Sequence, residues 1–182
     1  MGVPVVVSCQ GIAALVHKLL GLEPDDYGPK FSDLMLQIVK SIEDLRVSKG
    51  WPEFVYHTVD EPGGHAAVQA EAEATLSILH RAGYKTFTTA DVDYTNRALA
   101  PYLDVRCYGI GDCARSAEQA DARRVECAAS GARYWWYGTG CYTGQEGSMA
   151  VNRHLGGFLL EKSLAEGAWA WTFQRPKGSA YD

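Results

Sequence analysis

The stretch FVYHTVDEPGGHAAVQAEAEATLSILHRAGYKTFTTA, residues 54–90, decides the fold of this chain. It opens with a run rich in β-branched and aromatic residues, which predicts a strand over residues 54–60 that the following Pro-Gly-Gly sequence ends. An Ala- and Glu-rich helix is predicted over residues 65–82, closed by Gly83, and a second strand is predicted over residues 86–90. A strand, a helix and a strand in this order predict two parallel strands joined by a right-handed crossover.

Strand and helix patterns alternate in the same way on both sides of this unit. Further strands are predicted over residues 3–8, 105–109, 134–138 and 169–173, and further helices over residues 12–20, 31–50, 116–130 and 152–166, with a short helix within residues 91–103. Ser116 is a suitable N-cap, and Gly131 and Gly167 are suitable helix-ending residues. The six predicted strands indicate a parallel α/β architecture that spans residues 1–182 as a single domain.

Two architectures fit this alternation, an open doubly wound sheet and a (β/α)₈ barrel. No Gly-rich phosphate-binding motif follows the first predicted strand, which removes the main support for a nucleotide-binding open sheet. Carboxylates and aromatic residues fall repeatedly at the carboxyl ends of predicted strands, where a barrel builds its active site. We therefore expect a (β/α)₈ barrel. Because six strands are visible, we expect it to be partial, lacking the first two βα units and some C-terminal sequence.

The charge and composition argue against several classes of partner. A net charge of −5 without a polybasic segment disfavours nucleic acid and anionic membranes. No apolar run approaches the ~20 residues that cross a bilayer, and no signal-peptide pattern follows Met1. The localisation therefore stays open, with a secreted or periplasmic parent protein as one interpretation. No cofactor is predicted, and the histidines show no metal-ligand spacing.

The five cysteines are predicted to be free thiols, several of them in core strands or helices. Their number is odd, and no Cys-x-x-Cys pair occurs. A disulfide between Cys113 and Cys141 is the alternative.

The adjacent carboxylates Asp60 and Glu61 are the sharpest indication of function. They end a predicted strand and precede a Gly-rich break, where the chain turns and both side chains can reach one site. Two neighbouring carboxylates do not ionise equally, so that one can act as a general acid while the other stays charged. Glycoside cleavage requires this division of roles. The structural alternative is that Asp60 caps the next helix and Glu61 is a solvated loop residue.

Aromatic residues gather at the later predicted strands. One strand reads Tyr-Trp-Trp-Tyr over residues 134–137, and further aromatic residues follow it. Sugar rings stack on aromatic faces, so we expect Trp136, Tyr137, Tyr142 and Trp171 to contact a carbohydrate. Core packing explains other members of the set, because a strand buried on both faces places about half its side chains against the helices.

Polar residues at the mouths of other predicted strands form a third set. The candidates for binding sugar hydroxyls are His57, Asp91, Tyr94, Tyr108, Asn152 and Arg153. His57 shares strand parity with Glu61 and could contact it, or it is a satisfied core histidine. Asp91 has an alternative as an N-cap, and Arg153 as a surface charge.

Residues 51–173 resemble the catalytic barrel of glycoside hydrolase family 123. The resemblance rests on FVYHTVDEP (54–62), YWWYG (134–138) and NRHLGGFLLEKSLAEGAWAWTF (152–173), the last being similar to the family's final βα unit. It implies a β-N-acetylgalactosaminidase in which Glu61 is the acid/base. Asp60 would orient the 2-acetamido group, whose oxygen attacks the anomeric carbon. The family's acid pair follows the fourth strand of the barrel, which again implies two missing units.

Other functions are also compatible with the sequence. Glu146 could be the nucleophile of a common retaining glycosidase with Glu61 as acid/base, their carboxyl groups about 5–5.5 Å apart. Alternatively, the barrel binds carbohydrate without catalysis. The surroundings of Glu61 discriminate, because a catalytic acid lies partly buried in a cleft beside Asp60 and an aromatic ring, whereas a scaffold residue is solvated. The pocket tyrosine of related hexosaminidases corresponds to Tyr108 or Tyr137.

Overall fold

The strands and helices of the computed structural model alternate along the chain as the sequence predicts. The structure describes residues 4–89, 92–113, 115–138 and 154–169. The chain divides into two compact units, Met1–Val105 and Arg106–Asp182. Each described part is an α/β arrangement that contains parallel strand pairs.

The described part of the first unit has three strands with helices between them. In chain order its main elements are β1 (Val5–Ser8), α1 (Ile12–Leu20), α2 (Pro29–Lys49), β2 (Phe54–His57), α3 (Ala66–Arg81), β3 (Lys85–Thr89) and α4 (Val92–Tyr94). The strands lie in the order β1-β2-β3 and are parallel, with Val55 paired to Val6 on one side and Lys85 on the other. These pairs confirm the parallel arrangement that the stretch 54–90 predicts.

An apolar helix face packs on this sheet. In α2, Phe31, Met35 and Val39 recur at helical spacing and are fully buried in one cluster with Tyr56 of β2. The Tyr56 hydroxyl donates to Glu43 Oε1 at 2.7 Å, which satisfies the polar end of the buried ring. The amphipathic helix predicted over residues 31–50 is therefore confirmed.

Regular strand geometry in β2 ends at His57, three residues before the predicted end. Beyond the paired residues of the two strands, threonine residues of β3 form hydrogen bonds with the backbone that follows β2. Thr88 Oγ1 donates to the carbonyl of Val59 at 2.7 Å, and the N–H of Glu61 donates to the carbonyl of Thr89 at 3.0 Å. The chain therefore stays beside β3 and brings the acid pair to the carboxyl edge of the sheet.

Short helical turns of different pitch form residues 92–102, within the segment where the sequence predicts a short helix. After α4 the chain forms a π-helical turn, Thr95–Leu99, and then a 3₁₀ turn, Ala100–Tyr102. Pro101 has no N–H, so it cannot donate the bond that a regular α-helix requires there. The segment is therefore helical, as predicted, but it contains no continuous α-helix.

The second unit continues the alternation with three described strands. Its elements are β4 (Val105–Gly109), which starts at the last residue of the first unit, α5 (Ile110–Cys113), α6 (Ala117–Ala129), β5 (Arg133–Tyr137), the π-helical segment His154–Leu159, α7 (Leu160–Lys162) and β6 (Gly167–Trp169). The order is β4-β5-β6, and β5 and β6 pair in parallel. The predicted N-cap of α6 is confirmed, because Ser116 Oγ accepts the N–H of Gln119 at 3.2 Å.

The predicted end of the last helix is wrong. The described helical residues stop at Lys162 rather than at residue 166, and Leu164 adopts the left-handed conformation with a φ of 57°. Gly167 instead begins β6, where a Cβ atom would lie 2.8 Å from the Trp135 indole. The glycine is needed for close packing and not to end a helix. The predicted strand 169–173 begins earlier, and its residues 170–173 lie outside the described ranges.

Four cysteines lie in the described ranges and carry free thiols, as predicted; they are Cys9, Cys107, Cys113 and Cys127. Cys141, the alternative partner of Cys113, lies outside the described residues.

Candidate active site

Asp60 and Glu61 form a tight turn where the chain leaves β2. Glu61 adopts a positive φ of 43°, which side chains with a Cβ atom rarely adopt. Its N–H donates to two acceptors of Thr89, the carbonyl at 3.0 Å and Oγ1 at 3.2 Å. The strained peptide is thus held by bonds from the neighbouring strand β3.

The Asp60 carboxylate is fixed through one of its oxygens. Oδ1 accepts a short hydrogen bond from the Thr89 hydroxyl and lies 3.7 Å from Nε2 of His57. The side chain is 51% exposed, so the carboxylate is anchored in protein on one side and meets solvent on the other. Among the described residues, both of these polar contacts fall on Oδ1.

His57 lies beneath this carboxylate in the sheet. It is 2% exposed, and its ring meets the ring of Phe87 edge to face at a centroid distance of 5.0 Å. Burial lowers the pKa of His57, while the negative charge of Asp60 and a backbone contact at Val59 oppose the change. Within the described ranges, Nε2 meets no hydrogen-bond partner. The predicted contact of His57 is therefore made with Asp60, at a distance longer than a hydrogen bond.

The Glu61 side chain is exposed. Neither acid caps the next helix, because the residue at the N-cap of α3 is His65. The structural alternative for Asp60, helix capping, is therefore wrong, since its carboxylate bonds to Thr89. The exposure of Glu61 agrees with a solvated position and not with the partly buried cleft expected of a catalytic acid.

Tyr94 lies in the first unit but away from the acid pair's polar contacts. It is buried in an apolar cluster that includes Val59 and Leu76. Its hydroxyl donates to α3, 3.1 Å from both the Gln69 carbonyl and Glu73 Oε1. These contacts give Tyr94 a packing role in the described structure.

The candidates of the second unit that the structure describes are mostly core residues. Trp136 is fully buried, and its Nε1 donates to Ser163 Oγ at 3.1 Å. Tyr108 is also fully buried, its ring 6.3 Å from that of Tyr134, and burial raises the pKa of its hydroxyl. Tyr137 ends β5 and is partly exposed. Of these three, Tyr137 has the accessibility that a sugar contact needs.

The remaining candidates lie outside the described ranges; they are Asp91, Tyr142, Asn152, Arg153, Trp171 and the alternative nucleophile Glu146. Their predicted roles stay predictions.

Thr89 is the site residue that sequence reasoning missed. It is 1% exposed and contacts both acids. The signal was the last threonine of the TFTTA strand, placed at the same sheet edge as the acid pair. Threonine is common in strands, so its type alone does not indicate a site.

The described residues offer no group of three or more His, Cys, Asp or Glu side chains that could hold a metal ion. No helix within the described ranges is long and apolar enough to cross a membrane.

Comparison of the chain with family models, curated proteins and solved structures finds no match.

Proposed function

We propose that the chain carries the acid pair of a glycoside hydrolase that cleaves terminal 2-acetamido sugars with retained configuration. The observation that carries this proposal is the Asp60–Glu61 turn. It holds a strained residue, Glu61, with φ 43°, at the carboxyl edge of a parallel sheet. Such strain persists where the surrounding structure enforces it, and it clusters at functional sites.

The proposed reaction uses the two acids in different roles. Glu61 donates a proton to the leaving oxygen while the substrate's acetamido oxygen attacks the anomeric carbon and the glycosidic bond breaks. Asp60, whose Oδ2 makes no hydrogen bond within the described part of the chain, accepts the acetamido N–H and stabilises the developing oxazolinium ion. Water then attacks the anomeric carbon, the bond between that carbon and the acetamido oxygen breaks, and the Glu61 carboxylate takes the proton of the water, which restores the acetamido group and regenerates the enzyme.

The proposal includes a (β/α)₈ barrel as the complete architecture. Two features support it: parallel pairing of successive strands, β1 with β2 and β2 with β3, and acids that lie after the carboxyl end of a strand. Active sites of such barrels lie on that face.

The test is hydrolysis of chromogenic β-N-acetylgalactosaminide and β-N-acetylglucosaminide by the full product of the gene. Glu61→Gln and Asp60→Asn should each lower kcat by on the order of a hundredfold or more, because one loses the proton donor and the other loses the acceptor for the acetamido group. The matched control is Glu53→Gln, which removes an exposed carboxylate just before β2, and it should keep wild-type activity. A folded protein that cleaves neither sugar would refute the proposal.

A carbohydrate-binding barrel without catalysis is the second candidate, and the exposure of Glu61 favours it. Calorimetric titration with N-acetylgalactosamine discriminates between the two. Binding that survives Glu61→Gln, in a protein that cleaves neither glycoside, would support the binding function and exclude the hydrolase.

A further inference from the structure

Thr89 hydrogen-bonds to both residues of the candidate acid pair. Its hydroxyl donates to Asp60 Oδ1, and the same oxygen accepts the N–H of Glu61 at 3.2 Å. Its carbonyl accepts that N–H at 3.0 Å. One buried residue of β3 therefore bonds to the side chain of one acid and the backbone of the other.

The preceding threonine shows that these contacts are specific to one face of β3. Thr88 is equally buried, at 1% exposed, but its Oγ1 donates to the carbonyl of Val59 at 2.7 Å and contacts neither acid. Successive side chains of a strand point to opposite faces, so the two hydroxyls serve different partners. Thr86 is the matched control for Thr89, because this buried threonine of β3 donates its hydroxyl to the Tyr102 carbonyl.

We propose that Thr89 is a positioning residue that orients the Asp60 carboxylate and holds the Glu61 peptide in its left-handed conformation. The catalytic consequence of this role rests on the proposed hydrolase function, whereas the structural consequence does not. The hydroxyl occupies Oδ1 of Asp60 and so leaves Oδ2 for the substrate.

The position of His57 indicates which alternative contact of Asp60 the Thr89 hydroxyl prevents. Its Nε2 lies 3.7 Å from the same Oδ1 and forms no hydrogen bond with the residues that the structure describes. Without the Thr89 hydroxyl, Nε2 of His57 is a polar group within reach of the Asp60 carboxylate. The carboxylate would then bond to the imidazole, pull away from its substrate-binding orientation and favour the protonated ring.

The experiment compares Thr89→Val, Thr89→Ala and Thr89→Ser with the control Thr86→Val in the full product of the gene. The first readout is by NMR and consists of the titration of the His57 ring and the chemical shift of the Glu61 amide. The hydroxyl-free variants should raise the pKa of His57 and move the Glu61 amide signal. Thr89→Ser keeps the hydroxyl and should restore both, and Thr86→Val should match the wild type in both.

The second readout is catalysis. Thr89→Val should lower kcat on the 2-acetamido glycoside on the order of a hundredfold with little change in KM, because the acids are present but misplaced. Thr89→Ser should recover most of this loss. Thr89→Ala is the second hydroxyl-free variant, in case valine prevents folding.

The outcomes separate the two proposals. If the wild type has no glycosidase activity, the hydrolase proposal fails, and the His57 titration still decides the role of Thr89. If the wild type is active and Thr89→Val matches it in kcat, His57 titration and Glu61 shift, the positioning role is refuted and the hydrolase proposal stands.

Discussion

At the residue scale, the acid pair depends on a partner that is distant in the chain. A left-handed conformation at a residue with a Cβ atom costs roughly 1–2 kcal/mol, and the cost at Glu61 is offset by bonds to Thr89. The sequence predicted that Asp60 and Glu61 would end a strand and turn together. It did not predict Thr89, because the partner lies 28 positions later and only the parallel pairing of β2 with β3 brings it there.

The buried imidazole of His57 predicts an acid-sensitive fold. Burial lowers its pKa below the ordinary value of about 6.5, so on acidification the unfolded chain binds the proton before the folded chain does. Its contribution to the free energy of unfolding should therefore be full above about pH 6.5 and should fall as the pH drops below it. Urea unfolding between about pH 8 and about pH 5 measures this slope.

The variant His57→Gln should flatten that part of the pH profile, since glutamine does not titrate. His65→Gln is the matched control, because His65 is an exposed imidazole that precedes α3, and it should keep the wild-type slope. An unchanged slope in His57→Gln would show that another group causes the acid sensitivity.

At the element scale, helix ends were predictable where the signal is local. Gly83 and Gly131 follow α3 and α6 with positive φ values of 84° and 72°, as their positions in the sequence predict. Gly167 was predicted to play the same part and does not, because its role depends on the Trp135 ring from β5. The sequence does not distinguish a glycine that is required because a Cβ atom would clash from a glycine that is required for its backbone conformation.

Gly167→Ala is expected to destabilise the protein by about 1–3 kcal/mol, because the new methyl group would lie 2.8 Å from the Trp135 indole and force the ring to move. Gly157→Ala is the matched control. Nothing lies within 4 Å of a Cβ atom at Gly157, so this change should be neutral or stabilising by up to about 1 kcal/mol. Urea unfolding of both variants measures the difference.

Equal effects of the two alanine substitutions would contradict the close packing of β6 on Trp135. A loss of stability in Gly157→Ala alone would point instead to the helical segment as the sensitive element.

At the scale of the whole molecule, the buried thiols report on opening of the fold. Cys113 and Cys127 of the second unit are at most 1% exposed, and burial raises the pKa of each to about 11. The thiolate is the reactive form, so roughly 10⁻⁴ of these groups are reactive near pH 7. Their modification therefore requires the surrounding structure to open.

We expect iodoacetamide near pH 7 to label Cys9, which is partly exposed, well before Cys113 and Cys127. Peptide mapping by mass spectrometry after timed labelling measures the three rates. The unfolded chain in concentrated urea is the control, in which all three should react at similar rates. Labelling of Cys113 as fast as Cys9 in native buffer would show that the second unit opens freely.

The order and type of the elements were determined by the sequence itself, because periodicity, capping and turn residues act over a few neighbouring positions. The parallel strands, the Ser116 cap and the position of the acid pair at a strand end all follow from such local signals. The sequence also singled out several aromatic residues, including Trp136, as candidates for sugar contact.

The tertiary structure alone decided which side chains meet. Trp136 is buried and bonded to Ser163, Asp60 is held by Thr89, and Gly167 accommodates Trp135. Each of these contacts joins residues from different elements, so it depends on strand order, register and which strand face the helices cover. Those are set by the packing of the whole sheet, which no short stretch of sequence encodes.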